Sequence, residues 1–257
     1  MNTASEFRAE APASKVLIWD APVRVFHWLM VLCFAGAYLS AESERWRLLH
    51  VTLGYTMAAL VVFRLVWGLV GTRHARFSAF VRGPAAVARY VRSIVQRQPE
   101  HHTGHNPAGA LAILALLALA ALITVTGWAN YNEIALPWPE KWMEELHEGA
   151  ASVMLALVGV HVLAVVFSSR LHHENLARAM VTGRKAGPPS EGIRSAWHSL
   201  GALMLVAVIG FWWLQWQGAP SGGAGDGANA DATAVQTEGK HAARQSRQVG
   251  RKHDDDD

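Results

Sequence analysis

The sequence predicts an all-α integral membrane helical bundle, and three observations carry that expectation. Of 257 residues, 51% are hydrophobic and only 17% charged. Five apolar segments each come close to the ~20 residues that cross a bilayer as a helix. The connections between them alternate in charge, as the loops of a multi-pass chain do.

The elements follow in chain order. Residues 1–15, MNTASEFRAEAPASK, are polar and lack the basic-then-apolar order of a signal peptide. They are expected to form a flexible start, with the N-terminal segment running to residue 18. The expected spans are 23–40, 48–70, 107–128, 146–167 and 198–216. The third, PAGALAILALLALAALITVTGW, has no polar stripe, which argues against a soluble bundle. Pro107 suits the first turn of its helix, where a missing N–H costs nothing. Four spans within 19–187 make a core domain, 188–217 a linker and fifth span, and 218–257 a Gly-, Ala- and Asp-rich tail expected to be disordered.

Orientation follows from the arginines. Arg73, Arg76, Arg82, Arg89, Arg92 and Arg97 lie between spans two and three, and Arg170, Arg178, Arg184, Lys185 and Arg194 follow span four. The loop at 129–145 carries Glu133, Glu140, Glu144 and Glu145 against Lys141. The N-terminus and the loops at 71–106 and 168–197 are therefore expected in the cytoplasm, and the tail outside. Of the 11 tryptophans, Trp138, Trp142, Trp212, Trp213 and Trp216 fall where an outer aromatic belt is expected. The single cysteine, Cys33, excludes an internal disulfide, and no CxxCH motif is present, so any haem is held without thioether bonds.

The histidines carry the chemistry. His147 and His161 stand fourteen residues apart on one span. That interval rises ~21 Å and turns ~1400°, close to four whole turns, so both lie on one face near opposite ends of the hydrocarbon. His50, at the outer start of span two, is level with His147. His27, near the cytoplasmic start of span one, is level with His161. Each level pair places two imidazoles from two helices where they can hold one iron from both sides. The spacing thus predicts two haems stacked across the membrane, one per level pair. A lone histidine at either boundary is more simply an interfacial polar residue, but ionisable residues deeper in a span are usually functional. Gly54 and Gly159 leave room for a flat macrocycle, or serve close helix packing. Arg64, fourteen residues after His50, faces a haem propionate or reaches towards the cytoplasm. His105, in GHNPAG, competes with His27 as a ligand and ranks below it; it can also cap the helix or meet a propionate or quinone. His101, His102, His172 and His173 are read as solvated, and nothing pairs with His198.

Several stretches resemble the bacterial cytochrome b561 family, which includes the b-type subunits of membrane-bound nickel-iron hydrogenases. They are WDAPVRVFHW (19–28), LHVTLGY (49–55), FRLVWGLVGTRHARFSAFVRGP (63–84), GHNPAGA (104–110), ELHEGAA (145–151) and VHVLAVVFSSRLHHENLARAMVTGRK (160–185). The resemblance covers about residues 15–187. It implies a four-helix core with two bis-histidine haems, and by position His27, His50, His147 and His161 as their ligands. It implies electron exchange in a respiratory chain of the inner membrane, between the quinone pool and a partner redox protein. A c-type cytochrome or another exported redox protein is the expected partner; a hydrogenase is not itself implied, and nothing points to nucleic acid. The chain reads as an electron-transfer protein or a subunit of an oxidoreductase complex. The fifth span and the tail lie outside the common core. The rivals are a transporter that uses the same histidines without haem, which needs carboxylates inside the spans, and a plain anchor subunit.

Overall fold

A computed structural model describes residues 15–96, 104, 106–134, 139–171 and 173–219. The chain divides into two units, residues 1–215 and 216–257. The tail from residue 220 on, the N-terminal 14 residues, Trp138, and the histidines at 101, 102, 105 and 172 lie outside the described residues.

The order is β1 (Lys15–Leu17), α1 (Ala21–Ser40), α2 (Arg47–Val70), α3 (Phe77–Phe80), α4 (Pro84–Val95), α5 (Pro107–Tyr131), α6 (Glu140–Leu171), α7 (Leu176–Thr182), β2 (Arg184–Ala186) and α8 (His198–Gln217). Five of the helices are long and apolar enough to cross a membrane: α1, α2, α5, α6 and α8. Caps mark their entries. Asp20 Oδ1 accepts from Val23 N–H at 2.8 Å ahead of α1, and Asn106 Oδ1 accepts from Gly109 N–H at 2.7 Å ahead of α5.

Helix α6 begins six residues before the expected span. Its first turns are polar, and Lys141 pairs with Glu145 one turn on at 3.3 Å. The helix has 32 residues, about 48 Å, against a hydrocarbon core of about 30 Å, so it projects beyond the apolar layer. Lys141, Glu144 and Glu145, which read as loop, are the exposed start of the helix, while Glu133 stays in the turn before it.

Helix α2 neighbours α1 and α5, and α5 neighbours α6. Leu29, Cys33 and Phe34 of α1, Leu53, Met57 and Leu60 of α2, Leu117 and Ile123 of α5, and Met154 of α6 form one buried cluster. The opposite faces are apolar and exposed, as at Leu163 and Phe167 of α6 and Val206 and Ile209 of α8. An outward apolar surface on this scale belongs against lipid. Association among such helices rests on close packing and interhelical hydrogen bonds rather than on escape from water. Helix α8 takes part: Met204, Val208 and Trp212 pack on the main cluster, and Trp212 Nε1–H donates to Thr56 Oγ1 at 2.9 Å. Trp212 is therefore an inward packing residue rather than part of a belt. Trp142, Trp213 and Trp216 are exposed.

One end of the bundle is closed by a small cap, here called the sheet end. Strand β1 pairs antiparallel with β2, Val16 opposite Lys185. Gly183 follows α7 at φ 79°, a left-handed residue on which a Cβ would crowd the Trp19 carbonyl. The buried Lys185 pairs with Glu174 at 3.2 Å. Asp20, 1% exposed, is the hub: its Oδ2 accepts from Trp67 Nε1–H at 3.0 Å and from the Thr72 hydroxyl at 2.6 Å. Arg73 reaches Glu191 at 3.2 Å, and His74 Nε2–H donates to the Glu191 carbonyl at 2.7 Å. Residues 15–21, the 71–76 turn and the 183–196 segment thus meet on one face.

Candidate functional site

At the other end, the far end, His50 lies in the first turn of α2 and His147 in the third turn of α6. Their ring centroids are 6.2 Å apart with planes at 67°. Each ring is tied from behind. His50 Nδ1 lies 2.8 Å from the Ala37 carbonyl of α1, and His147 Nδ1 lies 3.0 Å from the Ile123 carbonyl of α5. A carbonyl only accepts, so both Nδ1 atoms carry a proton, and in the neutral ring Nε2 then keeps a free lone pair. That is the tautomer a metal-ligating histidine needs, fixed by hydrogen bonds from the side away from the metal.

Both rings line a cavity of about 580 Å³ walled by α1, α2, α5 and α6. A Cβ on Gly54, which lines it, would meet nothing within 4 Å. Gly127 has the opposite role, since a Cβ there would lie 2.8 Å from His147 Cε1. Glycine at 127 is what admits the imidazole. Phe34 and Met57 form part of the wall, and Glu42, Glu148 and Tyr131 belong to the same lining. Gly159 has open space beside it but is not among these wall residues.

Towards the sheet end the second level pair is less closely engaged. His27 on α1 stacks edge-on against Trp28, centroids 5.0 Å apart, and His161 lies half-buried on α6. The Nδ1 of His27 is buried without a hydrogen-bond partner. Arg64 on α2 is 3% exposed, its guanidinium sits 4.8 Å over the Phe77 ring, and its Nη1 is likewise buried and unpartnered. Asp20, whose charge reaches Arg64, has both oxygens engaged elsewhere. A buried cation without an acceptor is costly. Arg64 lies inside the bundle rather than at its surface. His105 lies outside the described residues; His173 and His198 are exposed.

Sequence reasoning passed over four participants. Ala37 and Ile123 act through backbone carbonyls, which leave no mark in a sequence. Gly127 and Thr126, whose hydroxyl oxygen lies 3.3 Å from His147 Nδ1, sit in a span with no histidine. The one available signal was the pair TG inside an otherwise apolar run.

A family model described as prokaryotic cytochrome b561 matches residues 18–183. The chain belongs to the prokaryotic cytochrome b561 family. This cytochrome is similar to a protein of Rhizobium leguminosarum bv. viciae named "Probable Ni/Fe-hydrogenase B-type cytochrome subunit", 23% identical over 66% of this chain and 88% of the relative. A protein of the same name from Azotobacter vinelandii is 26% identical over 65% of this chain and 87% of the relative. The "Probable Ni/Fe-hydrogenase 1 B-type cytochrome subunit" of Escherichia coli K12 is 28% identical over 45% and 60%. No solved structure matches this cytochrome significantly. It is a multi-pass membrane electron-transfer protein of the b type, and haem b is the group that its family implies.

The far-end residues fit that group. A metal–imidazole bond is about 2.0–2.1 Å, so two rings on one metal put their centres roughly 6 Å apart, close to the separation of His50 and His147. Among the described residues no cluster of three or more His, Cys, Asp or Glu forms a metal site. A bare ion such as zinc needs three or four protein ligands. Two imidazoles suffice when a macrocycle supplies the rest, and the cavity between them provides the space.

Proposed function

We propose that this cytochrome holds two b haems, one between His50 and His147 and one between His27 and His161, and carries electrons between membrane quinone and a partner redox protein. The observation that carries this reading is the far-end pair: two imidazoles with free Nε2 atoms, ring centres 6.2 Å apart, on one cavity.

Haem supplies a one-electron iron couple; the protein does the rest. Ala37 and Ile123 orient the far-end rings and keep Nε2 unprotonated. The apolar walls, Phe34 and Met57 among them, keep water from the site. At the sheet end His27 and His161 are the ligands, and Arg64 receives a propionate. His105, in the GHNPAG stretch ahead of α5, is proposed as a contact for propionate or quinone. Bis-histidine ligation leaves no open position on the metal, so electron transfer rather than oxygen chemistry is the function.

The charge pattern puts the sheet end and the N-terminus in the cytoplasm of a bacterial inner membrane and the far end outside. The partner then docks at the far end. A c-type cytochrome or another exported redox protein suits that face, and a hydrogenase is among the partners to be tried, given the names of the relatives.

The test is electron paramagnetic resonance of the oxidised protein, beside reduction by a soluble quinol. Two low-spin bis-imidazole signals are expected, with one altered in His50→Ala and His147→Ala and the other in His27→Ala and His161→Ala. Signals that survive all four substitutions contradict the assignment.

A further inference from the structure

The two far-end histidines are not held alike. His50 Nδ1 has one acceptor, the Ala37 carbonyl at 2.8 Å. His147 Nδ1 has two: the Ile123 carbonyl at 3.0 Å and Thr126 Oγ1 at 3.3 Å. Thr126 is 2% exposed, and its hydroxyl lies 2.8 Å from the Leu122 carbonyl and 3.1 Å from that of Ile123. A hydroxyl has one proton. Its shortest contact, with Leu122, takes that proton, which leaves a lone pair turned to His147 Nδ1–H. The next residue, Gly127, clears the space that brings the ring this close.

We infer that Thr126 is a positioning residue that acts through His147 to lower the reduction potential of the far-end site. The inference rests on the proposed ligation by His50 and His147. An acceptor at Nδ1 pulls the ring proton away and raises the electron density at Nε2, which makes the imidazole a stronger donor to a metal. A stronger donor favours the oxidised, more positive iron, and hydrogen bonding around ligands is one of the protein's means of setting a haem potential. The couple takes up one electron and no proton, so the effect falls on the potential alone. The site proposed at His27 and His161, towards the other end of the bundle, is left unchanged.

The test is a spectroelectrochemical titration of the full-length haem-loaded protein, with the far-end potential identified as the one lost in His147→Ala. Thr126→Val keeps the shape and removes the acceptor; Thr126→Ser keeps the acceptor. The expected result is a higher far-end potential in Thr126→Val, worth roughly a two- to tenfold change in the reduction equilibrium. Thr126→Ser should restore the wild-type value, and the other potential should not move. Should Thr126→Val not accumulate, Thr126→Ala is expected to shift in the same direction. An unchanged far-end potential, an equal shift at both sites, or failure of serine to restore the value overturns the inference. Absence of a bis-imidazole signal sensitive to His147→Ala in the wild-type comparison is a different result: it removes the ligation itself.

Discussion

His50 and His147 approach to 6.2 Å between ring centres while each Nδ1 is held by a backbone carbonyl of a third helix. Four helices therefore build one site, although only two of them supply a histidine. The arrangement leaves two unprotonated nitrogens on a shared cavity, and the predictions follow from which contacts maintain it.

Removal of one ligand should empty one site. His147→Ala is expected to lose the far-end haem and keep the other, halving the haem count by pyridine haemochrome assay. Equal loss of both haems from folded protein would contradict separate sites.

Gly127 is the space in which the His147 ring lies. Gly127→Ala places a Cβ 2.8 Å from His147 Cε1, so the ring or the helix has to move, at about 1–3 kcal/mol. Lower far-end occupancy is expected with the bundle intact by circular dichroism. Gly149→Ala, where a Cβ meets nothing within 4 Å, serves as the control and should bind haem normally.

Arg64 is buried against Phe77 with Nη1 unpartnered. If a propionate completes it, Arg64→Leu should weaken retention of the sheet-end haem and leave the far-end haem in place, as read from dissociation of each spectral component on dilution. Unchanged retention at both sites would make Arg64 a packing residue only.

Asp20 joins the α1 cap to Trp67 and Thr72. Asp20→Ala forfeits the cap and strands two donors, one buried on Trp67 and one half-buried on Thr72, at about 2–4 kcal/mol. A lower midpoint of thermal unfolding in detergent is expected. Asp20→Asn, which keeps an acceptor for the cap, should fall between the two. A midpoint unmoved by the alanine would show that the hub is not a source of stability.

The fold was legible where a property is carried by long apolar runs: all five spans lie where hydropathy puts them. The start of α6 was not, because Lys141, Glu144 and Glu145 read as loop until their helical spacing is seen. The approach of His50 to His147 was legible because each stands at the start of its apolar run, on the same side of the alternating charge pattern. The device that fixes their tautomers was not. It depends on the carbonyls of Ala37 and Ile123 and on Thr126, contacts between helices that leave no pattern in the chain. Asp20 was passed over for the same reason, since its partners lie 47 and 52 residues away. Trp212 looks like a boundary residue by position, and only the packing of α8 turns it towards Thr56.

The most direct test of the dihaem assignment is a reduced-minus-oxidised spectrum of the purified protein with haem counted per chain. Two b-type haems are expected. Folded protein, made with haem available, that carries one or none would contradict it.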